Sequence, residues 1–230
     1  FGGAVGNLNA HYCAYPKHDW IKFATNFVKS FDMERQKYTT QIDQYDNASK
    51  LFNIYSRINV ILKDFCVDIW LYISMNYLSQ KIVNSETGSS TMPHKVNPIN
   101  FENAEGNLGL ANALFGFFSE KLPQSRLQRD LTDSTVIRNV GMAFGYTMVA
   151  LKSIVAGLKK IVPNTTVINA ELEKNCCVIV EGYQTVLRKH GFSNAYELMK
   201  NLSRNNKQIT LEQLFTFVEN LEVSKEIKEE

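Results

Sequence analysis

Gly88-Ser89-Ser90-Thr91-Met92-Pro93-His94-Lys95-Val96-Asn97-Pro98 is the stretch that decides how the rest of this chain is read. Gly88 frees the backbone, and Pro93 and Pro98 fix φ and interrupt any helix. Ser89, Ser90, Thr91, Lys95 and Asn97 bring three hydroxyls, a cation and an amide into one short run. A connector between two helices needs only four or five ordinary polar residues. This one is longer and chemically richer, so it reads as a functional loop, spanning 84–98, set between two long helical segments.

Upstream, Leu51, Ile54, Tyr55, Ile58, Ile61, Leu62, Phe65, Ile69, Tyr72 and Ile73 recur at three and four, the spacing of an apolar helix face. No Gly or Pro intervenes from Asp46 to Val83, which predicts a helix of about 35 residues, near 50 Å long. Its apolar arc is wider than a strict coiled-coil seam, so a bundle is expected. Downstream, Ile99 to about Lys121 predicts a second helix, ended by Pro123. A polar connector from Gln124 to Asp133 follows. Asp133 or Ser134 is expected to cap a third helix, with Val140, Phe144, Met148, Leu151, Val155, Leu158 and Val162 as its stripe and Pro163-Asn164 as its stop.

The two ends differ in character. Phe1-Gly2-Gly3-Ala4-Val5-Gly6-Asn7 has neither an initiator Met nor a helix start and reads as the middle of a protein. His18-Asp19 is expected to cap a helix from Trp20 to about Ser30, with Ile21, Ala24, Phe27, Val28 and Phe31 on one face. Residues 32–44 are polar and aperiodic. From Thr165 the elements shorten, to about 169–189, 193–203 and 210–221, with a charged, frayed tail after Val223. The expected organisation is therefore mostly α: a helical-bundle domain over 1–164 and a small helical domain over 165–230.

Composition sets further bounds. Of the 230 residues, 44% are hydrophobic and 21% charged, ordinary for a globular protein. A net charge of +2 gives no reason to expect nucleic acid or an acidic membrane as partner. No uncharged apolar run reaches the roughly 18 residues of a membrane helix; the window Leu108–Phe118 is too short. No basic-then-apolar leader is seen. Cys13, Cys66, Cys176 and Cys177 form no C-x-x-C pair and read as reduced thiols, and a cytoplasmic location is expected.

The loop Gly88–Pro98 resembles the signature of the fumarase/aspartase superfamily of lyases, G-S-S-x-M-P-x-K-x-N-P, at every fixed position. His94-Lys95, Gln128-Arg129-Asp130-Leu131-Thr132-Asp133-Ser134-Thr135 and Thr39-Thr40-Gln41-Ile42 are similar to the adenylosuccinate lyase branch. The resemblance covers essentially the whole chain, which looks like the C-terminal half of such an enzyme. It implies a long-helix bundle, a β-elimination that releases fumarate from adenylosuccinate or from the related carboxamide ribotide SAICAR, and no metal or organic cofactor. It also implies a homotetramer whose sites draw on several subunits. The in-class rival is another lyase of the superfamily, such as argininosuccinate lyase. The rival from another class is a non-catalytic helical relative.

By that resemblance Ser89 is the base and Ser90 binds substrate, while Lys95 and Asn97 grip the substrate carboxylate as charge builds on it. A serine hydroxyl is a weak base, so its alkoxide needs N–H groups and a cation nearby. Arg129, Ser134 and Arg138 supply two guanidiniums and a hydroxyl, with Ser134 and Arg138 at i, i+4. Spacing alone leaves a phosphate cradle and a solvated arginine pair equally open; the resemblance favours the cradle for the nucleotide phosphate. Gln41 and Asn103 are expected substrate contacts on the same ground. None of the four histidines, His11, His18, His94 and His190, has the sequence context of the superfamily's general acid.

Overall fold

A computed structural model describes residues 1–81, 97–205 and 209–229. Residues 82–96 lie outside the described residues, and with them Ser89, Ser90 and Lys95. The long periodic stretch forms α3, Asp46–Ser74, of 29 residues, shorter than the expected run to Val83. Asn76 takes a φ of 61°, the left-handed conformation in which asparagine commonly ends a helix. The chain then enters the short strand β1, Leu78–Gln80, which pairs with β2, Ile161–Pro163.

Helix α4 runs Ile99–Lys121 and α6 runs Val140–Leu158. Along α4 the buried residues are Phe101, Ala104, Leu108, Ala111, Phe115 and Phe118, a repeat of three and four. Along α6 they are Ala143, Thr147, Ala150, Ile154 and Gly157. These two rows form the main seam between the helices. The expected stripe on α6 holds only at its start: Val140 and Phe144 pack against the core, whereas Met148, Leu151, Val155 and Leu158 are exposed and Val162 lies in β2. Large α4 side chains fill the seam, so α6 presents small ones, and its bulky row turns outward. The stretch Thr132–Leu158 is, by length and composition alone, long and apolar enough to cross a membrane.

Helix α3 adds to this core through Phe52, Asn59, Cys66 and Ile69, whereas Leu51, Ile54, Ile58 and Ile61 form an exposed row. Phe52, Phe115 and Phe144 pack ring against ring, with centroids 5.9 Å apart for Phe52–Phe115 and 5.1 Å for Phe115–Phe144. Deeper along the seam Asn59, fully buried, donates from Nδ2 to Asn112 Oδ1 at 3.0 Å and to Thr147 Oγ1 at 3.1 Å. This polar layer fixes the register of three helices, since a slip would strand its amide in the core.

The expected third helix is divided. A six-residue helix α5, Thr132–Ile137, precedes α6, and Arg138 and Asn139 join them. Asp133 lies inside α5 rather than capping it, because its carboxylate is held by tertiary partners. At the start of the chain come α1, Asn9–Ala14, and α2, Trp20–Lys29. Asp19 caps α2, accepting from the Lys22 N–H at 2.9 Å. Of the expected α2 stripe only Ala24 is buried.

The chain divides into two units, one of Phe1–Ile73 with Gln80–Ile161, the other of Ser74–Ser79 with Val162–Glu230. In the second, the expected helix 169–189 is three pieces: α7, Thr165–Lys174, a 3-10 turn, Cys176–Ile179, and α8, Val180–Lys189. Asn175 breaks the run by folding its amide back on the Glu171 carbonyl at 2.9 Å. Helices α9, Ala195–Asn205, and α10, Leu211–Asn220, follow. A capping box between Thr210 and Gln213 starts α10. Leu187, Ala195 and Met199 form one small core, and Cys176, Ile209 and Leu214 another. The tail expected to fray forms a short helix α11, Lys225–Glu229.

Candidate functional site

The site begins with a glycine. Gly6 has a φ of 82°, and a Cβ there would fall 1.9 Å from the Thr40 carbonyl oxygen. Only glycine lets the N-terminal turn lie against the strip Thr39–Ile42. That strip is then fastened on both sides. Gln41 Nε2 donates to the Ala4 carbonyl at 3.1 Å, and the Gln41 N–H donates to the Gln128 carbonyl at 3.1 Å. The exposed Gln41 side chain keeps its Oε1 and borders a cleft of about 490 Å³, with Arg35, Gln36, Thr39 and Asp43 among its walls.

Gln128 opens the connector to α5, which two buried carboxylates organise. Asp130 accepts from the Thr132 N–H at 3.0 Å and from Lys121 Nζ at 3.1 Å. The Thr132 N–H first and the lysine second pull its carboxyl down to about 2. Asp133, 7% exposed, takes three donors: Tyr45 Oη and Arg129 Nη1 on Oδ2, each at 3.1 Å, and the Ser134 N–H on Oδ1 at 2.7 Å. Burial, and then the bond to Asp133, push the Tyr45 phenol above its ordinary value, so it stays a donor.

Four of the expected residues thus fall in one region, past the C-terminal end of α4. Gln41 is tied to the residue before Arg129; Arg129 pairs with Asp133; Ser134 follows it on α5; Arg138 is the exposed residue ending α5. The Ser134 hydroxyl donates to the Leu131 carbonyl at 2.8 Å, a bond it would give up to donate to a phosphate, since a hydroxyl has one proton. Two guanidiniums and a hydroxyl suit a phosphate.

Two other expected residues lie elsewhere. Asn97, half buried, precedes α4, and exposed Asn103 is on its second turn, its Oδ1 accepting from Asn107 at 3.0 Å. At about 1.5 Å per residue, the 23 residues of α4 set these asparagines about 30 Å from the Lys121–Asp130 end. One chain therefore does not bring Asn97 and Arg129 to the same ligand. Trp70 Nε1, donating to Glu102 at 3.0 Å, fastens the Asn97 end to α3. Ser89, Ser90 and Lys95 are outside the described residues, and among the described residues no group of His, Cys, Asp and Glu is suited to hold a metal.

Sequence reasoning missed Tyr45 and both aspartates. The aspartates stood in the quoted run Arg129–Asp133, where spacing to the arginines was a usable signal. Tyr45 had none: its φ of 58° and its reach to Asp133 depend on tertiary structure.

A family model described as "Lyase" matches residues 1–114, and one described as "Adenylosuccinate lyase C-terminal" matches residues 125–230. The adenylosuccinate lyase of Dictyostelium discoideum is 52% identical over 234 residues, which is 100% of this chain and 50% of that protein. That of Legionella pneumophila (strain Corby) is 50% identical over 230 residues, 100% of this chain and 50% of its own length. That of Escherichia coli (strain K12) is 47% identical over 226 residues, 98% of this chain and 49% of its own. The chain spans about half the length of the curated relatives it matches.

Proposed function

Because the chain belongs to the adenylosuccinate lyase branch of the fumarase/aspartase superfamily of lyases, we propose that the enzyme it represents releases fumarate from adenylosuccinate, leaving AMP, and from SAICAR, leaving AICAR. These are steps of purine synthesis, and the enzyme acts in the cytoplasm. The observation that carries this reading is the Gln41–Gln128 backbone bond. It supports a nucleotide site by seating an amide-bearing strip beside Arg129, Ser134 and Arg138, which hold the phosphate.

The chemistry needs a base at carbon, a grip on the dianionic intermediate and an acid for the leaving nitrogen. Ser89 takes the proton, its alkoxide stabilised by Lys95. Lys95 and Asn97 hold the carboxylate as it gains charge, and Ser90 is a further substrate contact. Asn103 contacts the substrate from the same end of α4. None of the four histidines has the context of the acid, so the acid is contributed from beyond these 230 residues, and this chain alone is inactive.

The roughly 30 Å between Asn97 and Arg129 supports a site shared between subunits. So do the exposed apolar rows Leu51-Ile54-Ile58-Ile61 on α3 and Met148, Leu151 and Val155 on α6, which a homotetramer would cover.

The test is fumarate release by the full-length enzyme, offered adenylosuccinate and argininosuccinate in turn. Turnover of adenylosuccinate alone, falling at least ~10²-fold in Ser89→Ala, is expected. Turnover of argininosuccinate instead would assign another branch. A Ser89→Ala enzyme within about threefold of the parent would mean another residue is the base.

A further inference from the structure

Arg129 is held differently from the other arginines near it. Arg126, with its side chain 80% exposed, lies 3.9 Å from Asp130, too far for a hydrogen bond. Arg138 is exposed at the end of α5. Arg129 is 27% exposed and donates from Nη1 at 3.1 Å to a carboxylate that is itself buried. That contact uses one of the five N–H donors of a guanidinium and fixes the plane of the rest.

The carboxylate has no freedom of its own. Tyr45 Oη donates to the same Oδ2 as Arg129, and the Ser134 N–H donates to Oδ1 at 2.7 Å. Tyr45 is fixed in turn: its N–H donates to Asp43 Oδ2 at 2.8 Å, and its φ of 58° is a conformation that tyrosine seldom adopts. A side chain locked at both ends in an uncommon backbone state is the arrangement expected of a group that must point one way. Asp133 therefore sets the guanidinium of Arg129 on one side and the peptide of Ser134 on the other.

We infer that Asp133, braced by Tyr45, is a positioning residue that aims Arg129 at the phosphate monoester of a nucleotide. This rests on the reading of Arg129 as a phosphate ligand given above. Neither Asp133 nor Tyr45 touches the ligand; both act through Arg129. The carboxylate offsets part of the arginine's charge, and what it supplies in return is a fork already oriented, which loses little freedom when it meets two phosphate oxygens.

The experiment uses the full-length enzyme, with AMP and fumarate as separate probes in titration calorimetry. Arg129→Ala and Asp133→Asn should each weaken AMP binding by about tenfold or more, leaving fumarate within about twofold. Tyr45→Phe should cost AMP a smaller factor, about threefold. The amide introduced by Asp133→Asn keeps an oxygen for the Ser134 N–H. The Arg129→Ala/Asp133→Asn double variant should bind AMP no more weakly than Arg129→Ala alone, since Asp133 then has nothing to position. A merely structural aspartate would add its loss in both backgrounds. Additive losses, or an Asp133→Asn enzyme with parental AMP affinity beside a weakened Arg129→Ala, would overturn the inference and leave the phosphate site standing. Parental AMP affinity in Arg129→Ala would overturn the phosphate site, and the inference with it. Where Asp133→Asn does not fold, Tyr45→Phe decides: it must weaken AMP at an unchanged melting temperature and lose that effect in the Arg129→Ala background, and failure on either count overturns the proposal.

Discussion

The ring of Phe101 occupies the space that a side chain at Gly157 would take: Cε2 and Cζ lie 2.8 Å from where a Cβ would stand. Phe101 has no exposed surface, so its ring has nowhere to swing, and Asn100 Cβ is only 3.1 Å away. Gly157→Ala should therefore destabilise the bundle. Overpacking costs roughly 1–3 kcal/mol, against a helix-propensity gain of about 1 kcal/mol. A melting temperature equal to or above the parent's would show that α4 and α6 have slack at this crossing.

Helix α4 was legible in the sequence because its limits are written in prolines: Pro98 and Pro123 bracket it. The end of α3 was not, since Asn76 stops that helix by its φ, and asparagine is compatible with helix too. The seam of α6 was misread because hydropathy weighs Met148, Leu151 and Val155 above Ala143, Ala150 and Gly157. Against the phenylalanines of α4, small side chains are what closeness demands. In the candidate site, the resemblance pointed to Gln41 and Arg129 separately. Their being neighbours depends on a backbone bond between distant residues, and no local pattern encodes that. Asp133 was seen only as a cap, a role its spacing fitted and its tertiary partners override.

Gly6→Ala should separate the strip Thr39–Ile42 from the N-terminal turn. The new Cβ would meet the Thr40 carbonyl at 1.9 Å, on a backbone whose φ of 82° already penalises a side chain. The Gln41 N–H should then lose protection against hydrogen exchange, and in the full-length enzyme KM should rise several-fold. Unchanged protection at Gln41 would show that the contact with Gly6 does not hold the strip.

The four thiols should separate by exposure. Cys13 and Cys177 are exposed, whereas Cys66 and Cys176 are buried. Burial, and then the nearby Glu105, raise the Cys66 thiol to about 11, and the thiolate is the reactive form. At pH 8 a thiol reagent should label Cys13 and Cys177 in the folded protein, and Cys66 only on unfolding. The raised value means that the neutral thiol is favoured in the fold. Its contribution is complete below the unfolded thiol value of about 8.5 and is lost as pH rises towards 11. Labelling of Cys66 as fast as Cys177 would contradict its burial.

Asp130 should make the connector acid-sensitive. Its carboxyl, held down to about 2 by the Thr132 N–H and Lys121, ionises more readily in the fold than in the unfolded chain, where the value is about 3.9. Its charge therefore stabilises the fold fully above pH 4, and that contribution disappears as pH falls through about 2. Asp130→Asn keeps an oxygen for the Thr132 N–H but removes the ion pair with Lys121, the shorter of its two, at 3.1 Å against 3.9 Å for the largely exposed Arg126. The variant should melt below the parent at neutral pH. The gap should hold down to about pH 5 and close between about pH 4 and pH 2. Carboxylates common to both proteins cancel in the difference, so the window reports Asp130 alone. A gap that stays constant to pH 2, or closes above pH 5, would place the acid sensitivity in another group.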